Sequence, residues 1–231
     1  MPQPIKKVNP AASVHISLSD ASPSNHRPEL ALLAMSVLAE WSILDSWLNG
    51  LFVIMCGPEP TAALDIYSSL SGGATKAVAF NAVAEKYLKP EEKEIYAAIM
   101  RLVVRARNQR NKLAHGVWGY SPQIPDGVLL CDAIPMMRYS TAIHEYHHTY
   151  SKNRQMPELP YDDIFVYYKN DFTSQSEAIR RLMNHVMEFR YALHRGMQWI
   201  GTSEAFEALV LQPDIQAEVS SIRAKNSRQP P

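Results

Sequence analysis

One stretch concentrates more chemistry than any other in the chain: Arg105-Ala106-Arg107-Asn108-Gln109-Arg110-Asn111-Lys112-Leu113-Ala114-His115-Gly116-Val117-Trp118-Gly119. It brings four cations, two asparagines and a histidine into about three helical turns. Arginine grips and neutralises a phosphate through paired donors. Histidine titrates near neutrality and can move a proton during attack on that phosphate. Asparagine can orient the imidazole or a ribose hydroxyl. Together these groups fit phosphodiester cleavage that uses the RNA 2′-OH as internal nucleophile and needs no metal. A DNA strand lacks that hydroxyl and cannot react this way.

The element that must hold these groups is a helix. Lys89-Pro90-Glu91-Glu92 opens it, with proline in the first turn and carboxylates where the macrodipole favours them. Gly116 stops it after His115. Ile95, Ile99, Leu102, Val103 and Ala106 form its inward stripe, and Arg110 falls on the same stripe, about 20° from Ile99. An arginine facing a core must be paired or must face a polar cleft. Val104, Arg107, Asn111 and His115 form an adjoining line. Arg110 and His115 are about 140° apart on a straight helix, so unwinding at Gly116 or a site built from two subunits is needed to join them. A purely structural reading stands beside this one. Cations near a helix C-terminus stabilise its dipole, His115 can cap the last carbonyls, and Trp118 can seal a core edge.

The arrangement Arg110-Asn111-x-x-x-His115 resembles the R-N-x-x-x-H form of the signature of HEPN domains (higher eukaryotes and prokaryotes nucleotide-binding). The continuation Ala114-His115-Gly116-x-Trp118-Gly119 looks like a subset of uncharacterised bacterial proteins with a HEPN-like core. That resemblance spans Glu29 to His115 and the late helix. It implies an all-α up-and-down bundle, a homodimer, and the motif late in a long helix near the dimer interface. It further implies a metal-independent endoribonuclease of the kind found in toxin–antitoxin, antiphage and RNA-processing systems, with a neutralising partner protein. Arg110 and His115 would then be the catalytic pair, with Asn111 as the polar helper. Some relatives serve instead as non-catalytic dimerisation or interaction modules. HEPN proteins often carry an acid on the first long helix, and Asp45 could hold Arg110 or orient His115 there. Glu40 competes for that role, and an ordinary surface carboxylate is the alternative. Arg105, Arg107, Asn108 and Lys112 are the expected RNA-binding residues, giving salt-dependent affinity.

Other candidates carry less. His144, His147 and His148 would share a face if helical and could hold zinc, but no cysteine is near and the HExxH order is absent. A solvated or hydrogen-bonded cluster is the favoured reading, so no metal and no cofactor are expected. Tyr161-Asp162-Asp163 reads as a loop turn in preference to a cation site. Cys56 and Cys131 lack an evident base, and no phosphate-cradling glycine loop or serine elbow occurs.

The remainder of the chain builds the frame. There are 231 residues, 23 Lys+Arg against 23 Asp+Glu, and 46% hydrophobic residues, enough for a real core and inconsistent with wholesale disorder. Zero net charge excludes a strongly basic nucleic-acid coat but not a local basic patch. Two distant cysteines fit a reducing cytoplasm. Residues 1–28 lack the build of a secretory signal, and the apolar stretch from Leu30 to Cys56 is broken by Glu40, Asp45 and Asn49, so a buried helix is expected there and no membrane span.

Proline-rich residues 1–27 read as a flexible leader. A helical domain follows over 28–209, and a polar tail over 210–231 hangs loose or carries one short helix. Helical periodicity marks Glu29–Cys56 (with Val37, Trp41, Leu44, Leu48 and Phe52 in step), Pro60–Leu70, Ala74–Leu88, Lys89–His115 and Asp171–Ile200. Val128–Leu130 and Ile164–Tyr168 read as strands of a small β or loop insertion at about 120–170. The expectation is a mainly α, up-and-down helical bundle with that insertion.

Overall fold

The computed structural model describes residues 1–16, 23–57, 59–148, 155–193 and 202–227. Helices dominate, accompanied by one small antiparallel sheet. In chain order the elements are β1 (Gln3–Pro4), α1 (Ile5–Val8), β2 (His15–Ile16), α2 (Pro23–His26), α3 (Pro28–Cys56), α4 (Pro60–Ser69) and α5 (Gly73–Tyr87). Then come α6 (Pro90–His115), β3 (Val117–Tyr120), β4 (Gly127–Cys131), α7 (Ala133–His148), a 3-10 turn at Tyr161–Asp163, β5 (Ile164–Tyr168), α8 (Lys169–Leu193), α9 (Thr202–Val210) and α10 (Pro213–Asn226). Residues 194–200, expected to extend the last long helix, lie outside the described residues, as do 228–231 of the tail. The chain divides into two compact units: Met1–Ala39 with Arg107–Glu177, and Glu40–Ala106 with Ala178–Pro231.

The first unit is built on the sheet, whose strand order is β1-β5-β4-β3-β2, all neighbours antiparallel. Central β4 is buried along its whole length, Gly127 to Cys131. Its apolar run is what a strand covered on both faces requires. On one face Leu129 and Cys131 pack with Ile164 and Val166 of β5, Ile5 of α1, Ile124 and Met136 of α7. On the other, strand alternation sets Val128, Leu130 and Tyr167, and Phe172 of α8 stacks on Tyr167 (5.7 Å) and Trp118 (6.4 Å). The first sixteen residues, expected to be a loose leader, supply both edge strands, with Ile5 and Ala12 in the core. Within the insertion Ala133–His148 is a sixteen-residue helix, an element the sequence reading did not place there.

Helices make up the second unit. Trp41, Leu44, Leu48 and Phe52 of α3 are buried, as are Ile95, Ile99 and Val103 of α6 and Ile179, Leu182, Val186 and Phe189 of α8, matching the stripes read from the sequence. Phe52, Tyr67, Phe80 and Tyr96 form a continuous aromatic cluster with centroid separations of 4.7 to 6.4 Å. Gly57, at φ 95, follows α3 in the left-handed conformation that ends it. Length and composition would also let α3 cross a bilayer, and only 28% of its most apolar window is buried, less than the core helix expected there. The tail residues 213–226 form α10, the short-helix alternative.

Candidate functional site

A carboxylate at the third position starts α6. The backbone N–H of Lys89 donates to Glu92 Oε2 at 2.8 Å, so one otherwise orphaned donor is satisfied. The same device starts α8, where Tyr168 N–H donates to Asp171 Oδ2 at 2.9 Å. Twenty-six residues later α6 ends at His115. Its last turn is closed from two directions: Gly116 N–H donates to the Lys112 carbonyl at 2.8 Å, and Trp118 Nε1–H donates to the Leu113 carbonyl at 3.1 Å. Gly116 is required by space. A Cβ there would lie 2.6 Å from the Lys112 carbonyl oxygen and 2.7 Å from Leu130 Cδ1. Trp118 thus caps the helix, a role the sequence offered to His115, and stacks on Phe172 inside the first unit.

The first unit holds Arg107, Asn108, Arg110, Asn111, Lys112 and His115 at this helix end. Arg110 and Asn111 are half-buried and joined, Arg110 Nη1 donating to Asn111 Oδ1 at 2.9 Å. Arg107 is half-buried, Asn108 and Lys112 are exposed, and the Lys112 ammonium sits 5.2 Å from the centre of the Phe165 ring. His115 is exposed on the last helical residue. Because α6 is regular through His115, the unwinding that would swing the imidazole toward Arg110 does not occur. The two side chains keep their offset of about 140° within one chain.

Arg105 and Asp45 belong to the second unit. Arg105 is paired with Glu218 of α10. Asp45 acts there on Tyr67, whose phenol burial pushes up to about 12, with the Asp45 charge adding to the effect. Glu40, the competing acid, accepts from Arg180 Nε and Nη2 at 2.9 and 2.6 Å. Of the histidine cluster, His144 and His148 lie one turn apart on exposed α7 positions with ring centroids at 4.2 Å. Among the described residues no three His, Cys, Asp or Glu side chains come together as a metal site. Tyr161-Asp162-Asp163 forms a 3-10 turn, and Asp162 pairs with Lys6 at 2.8 Å.

The second unit also contains a pair that sequence reading passed over. His185, 3% exposed, faces both carboxylate oxygens of Asp214 at 3.1 and 3.0 Å, while its Nδ1 is buried without a hydrogen-bond partner. Burial alone would raise the Asp214 carboxyl. The hydrogen bond and charge of His185 outweigh it and hold Asp214 below its ordinary range. The available signal was position, since His185 falls between Leu182 and Val186 on the inward stripe of α8. Two grooves are described in this unit, of about 610 and 450 Å³, and neither is lined by Arg110, Asn111 or His115. No protein-family model, curated protein or solved structure matches the chain.

Proposed function

We propose that the chain is a HEPN-like, metal-independent endoribonuclease that cleaves single-stranded RNA through 2′-OH attack, acting as a homodimer in the cytoplasm under control of a neutralising partner protein. The observation that carries this reading is the end of α6. There a half-buried guanidinium is oriented by the adjacent Asn111 amide, and an exposed imidazole lies about 1.4 turns further on. In this reading Arg110 grips the scissile phosphate, Asn111 fixes the guanidinium, and His115 takes the 2′-OH proton or supplies one to the leaving 5′-oxygen. Products would be a 2′,3′-cyclic phosphate and a free 5′-hydroxyl. The unbroken helix supports assembly of each site from two copies, with Arg110 of one chain meeting His115 of the other. Arg105, Arg107, Asn108 and Lys112 would follow the RNA backbone.

A second reading is favoured by the Arg110–Asn111 hydrogen bond itself. A satisfied polar pair of this kind can serve a non-catalytic interaction module by fixing the specificity of a protein interface. RNA cleavage in EDTA separates the two. Wild type should cut and folded His115→Ala should not. Equal cutting by both removes His115 from the chemistry.

A further inference from the structure

Helix α10 docks in an unusual manner. A surface helix ordinarily attaches through an apolar stripe. Among the fourteen residues of α10 only Ile215 is buried, with Val219 and Ile222 half-buried. Three polar side-chain pairs do the remaining work. Asp214 meets His185, while Glu218 pairs with Arg105 and lies 3.7 Å from Arg101. Arg223 Nε and Nη2 donate to the Glu94 carboxylate at 3.1 and 2.6 Å. Arg101 Nη1 also donates to the Ser221 hydroxyl at 3.3 Å. Packing along the helix is incomplete on both flanks. The 610 Å³ groove runs beside Tyr96, Met100, Val104 and Glu218, and the 450 Å³ groove beside Ile95, Phe206, Val219 and Arg223. The Arg223–Glu94 pair lies in solvent and Arg105 of the Glu218 pair is exposed, so both are screened by salt, whereas His185 of the third pair is buried. With so little apolar burial, α10 depends on these pairs for its place.

We infer that α10 is an electrostatically clasped strap over the Arg101–Arg105 face of α6, and that the phosphodiester backbone of single-stranded RNA competes with Glu218 for those two guanidiniums. The geometry points to this ligand because Arg101 and Arg105 are one turn apart on the helix that ends in Arg110 and His115. Their present partner is itself an oxyanion, with its side chain only 14% exposed. Guanidinium groups donate to phosphate oxygens as readily as to carboxylate oxygens. The identity of the ligand rests on the ribonuclease reading. The strap rests on the ion pairs alone.

Two measurements on the full chain test it, both in a His115→Ala background so that RNA stays intact. Hydrogen exchange of the α10 amides should quicken at raised salt and again when a short oligouridine is added. Anisotropy should show tighter oligouridine binding by Glu218→Gln. The slope of log affinity against log salt should steepen by about 1.4 for two added phosphate contacts, close to sevenfold between about 50 and 200 mM. Replacing Arg101 and Arg105 by alanine in the Glu218→Gln chain should abolish that gain. Exchange of α10 indifferent to both salt and RNA overturns the strap, whatever His115 does. Loosening by salt with no effect of Glu218→Gln on RNA affinity overturns the competition. Cleavage lost or kept on His115→Ala judges the ribonuclease reading separately.

Discussion

Replacing Gly116 by alanine adds one methyl group at the joint between α6 and β3. That methyl carbon would stand 2.7 Å from Leu130 Cδ1 and 2.9 Å from its Cγ, against about 3.5–4.0 Å for carbons in contact. It would also stand 2.6 Å from the Lys112 carbonyl oxygen, which already accepts the Gly116 N–H. Neither neighbour can retreat cheaply. One is helix backbone, and Leu130 is 3% exposed on a strand hydrogen-bonded on both sides. Overpacking of this kind costs about 1–3 kcal/mol. Removing glycine also stiffens the unfolded chain, which returns about 0.4–1 kcal/mol. The net loss should be about 1–2 kcal/mol, a fall in Tm of about 2–8 °C for a chain of this length. Urea unfolding should show a lower midpoint at unchanged slope. A Gly116→Ala chain as stable as wild type would refute the placement of the helix end against β4, and with it the position assigned to His115.

Acid should loosen α10 before the rest of the second unit. His185 holds Asp214, and Arg223 holds Glu94, below the usual carboxylate range, so both stay ionised to lower pH in the folded chain than in the unfolded one. Their stabilisation is therefore complete only above about pH 5, and it is lost progressively as pH falls through the ordinary carboxylate range and below. Hydrogen exchange of residues 213–226 should rise in that window, and a rise already complete near neutrality would contradict the assignment. Thiol labelling offers a separate check. Cys131 is fully buried, and burial, then Asp163 and Asp132, push its thiol up to about 11. Cys56 is half-buried and raised by burial alone. In the native chain a disulfide reagent should modify Cys56 well before Cys131, and equal rates would contradict the buried position of β4.

The long helices were legible because their apolar residues recur at three- and four-residue steps over many turns, so Val37 to Phe52 and Ile179 to Phe189 could be assigned to core faces directly. The β4 and β5 runs were legible for a related reason, as a short apolar block and a β-branched and aromatic one. Edge strands β1 and β2 were not. Each is two residues long, too short for an alternating pattern, and β1 contains a proline that ordinarily marks a loop. Helix α7 was obscured by Pro135, which reads as a breaker but sits in the first turn, where its missing N–H costs nothing. The division into two units left no trace because the boundaries fall inside α3, α6 and α8, where periodicity runs on uninterrupted. At the candidate site Arg110 was found by its place on an inward stripe. The partner of Arg105 was not, since Glu218 is 113 positions away. His185 obeyed the rule that exposed Arg110, but its acid partner comes from a separate helix, and only the fold joins them.

Subunit mixing tests the central claim most directly. Arg110→Ala and His115→Ala chains should each fail to cut single-stranded RNA in EDTA. When they are unfolded together and refolded at equal amounts, the proposed dimer would give hybrids in which one of the two composite sites is intact. Random pairing then restores about a quarter of wild-type cleavage. If the refolded mixture contains hybrid dimers and still cuts nothing, or if either variant cuts RNA by itself as wild type does, Arg110 and His115 are not two halves of one shared site.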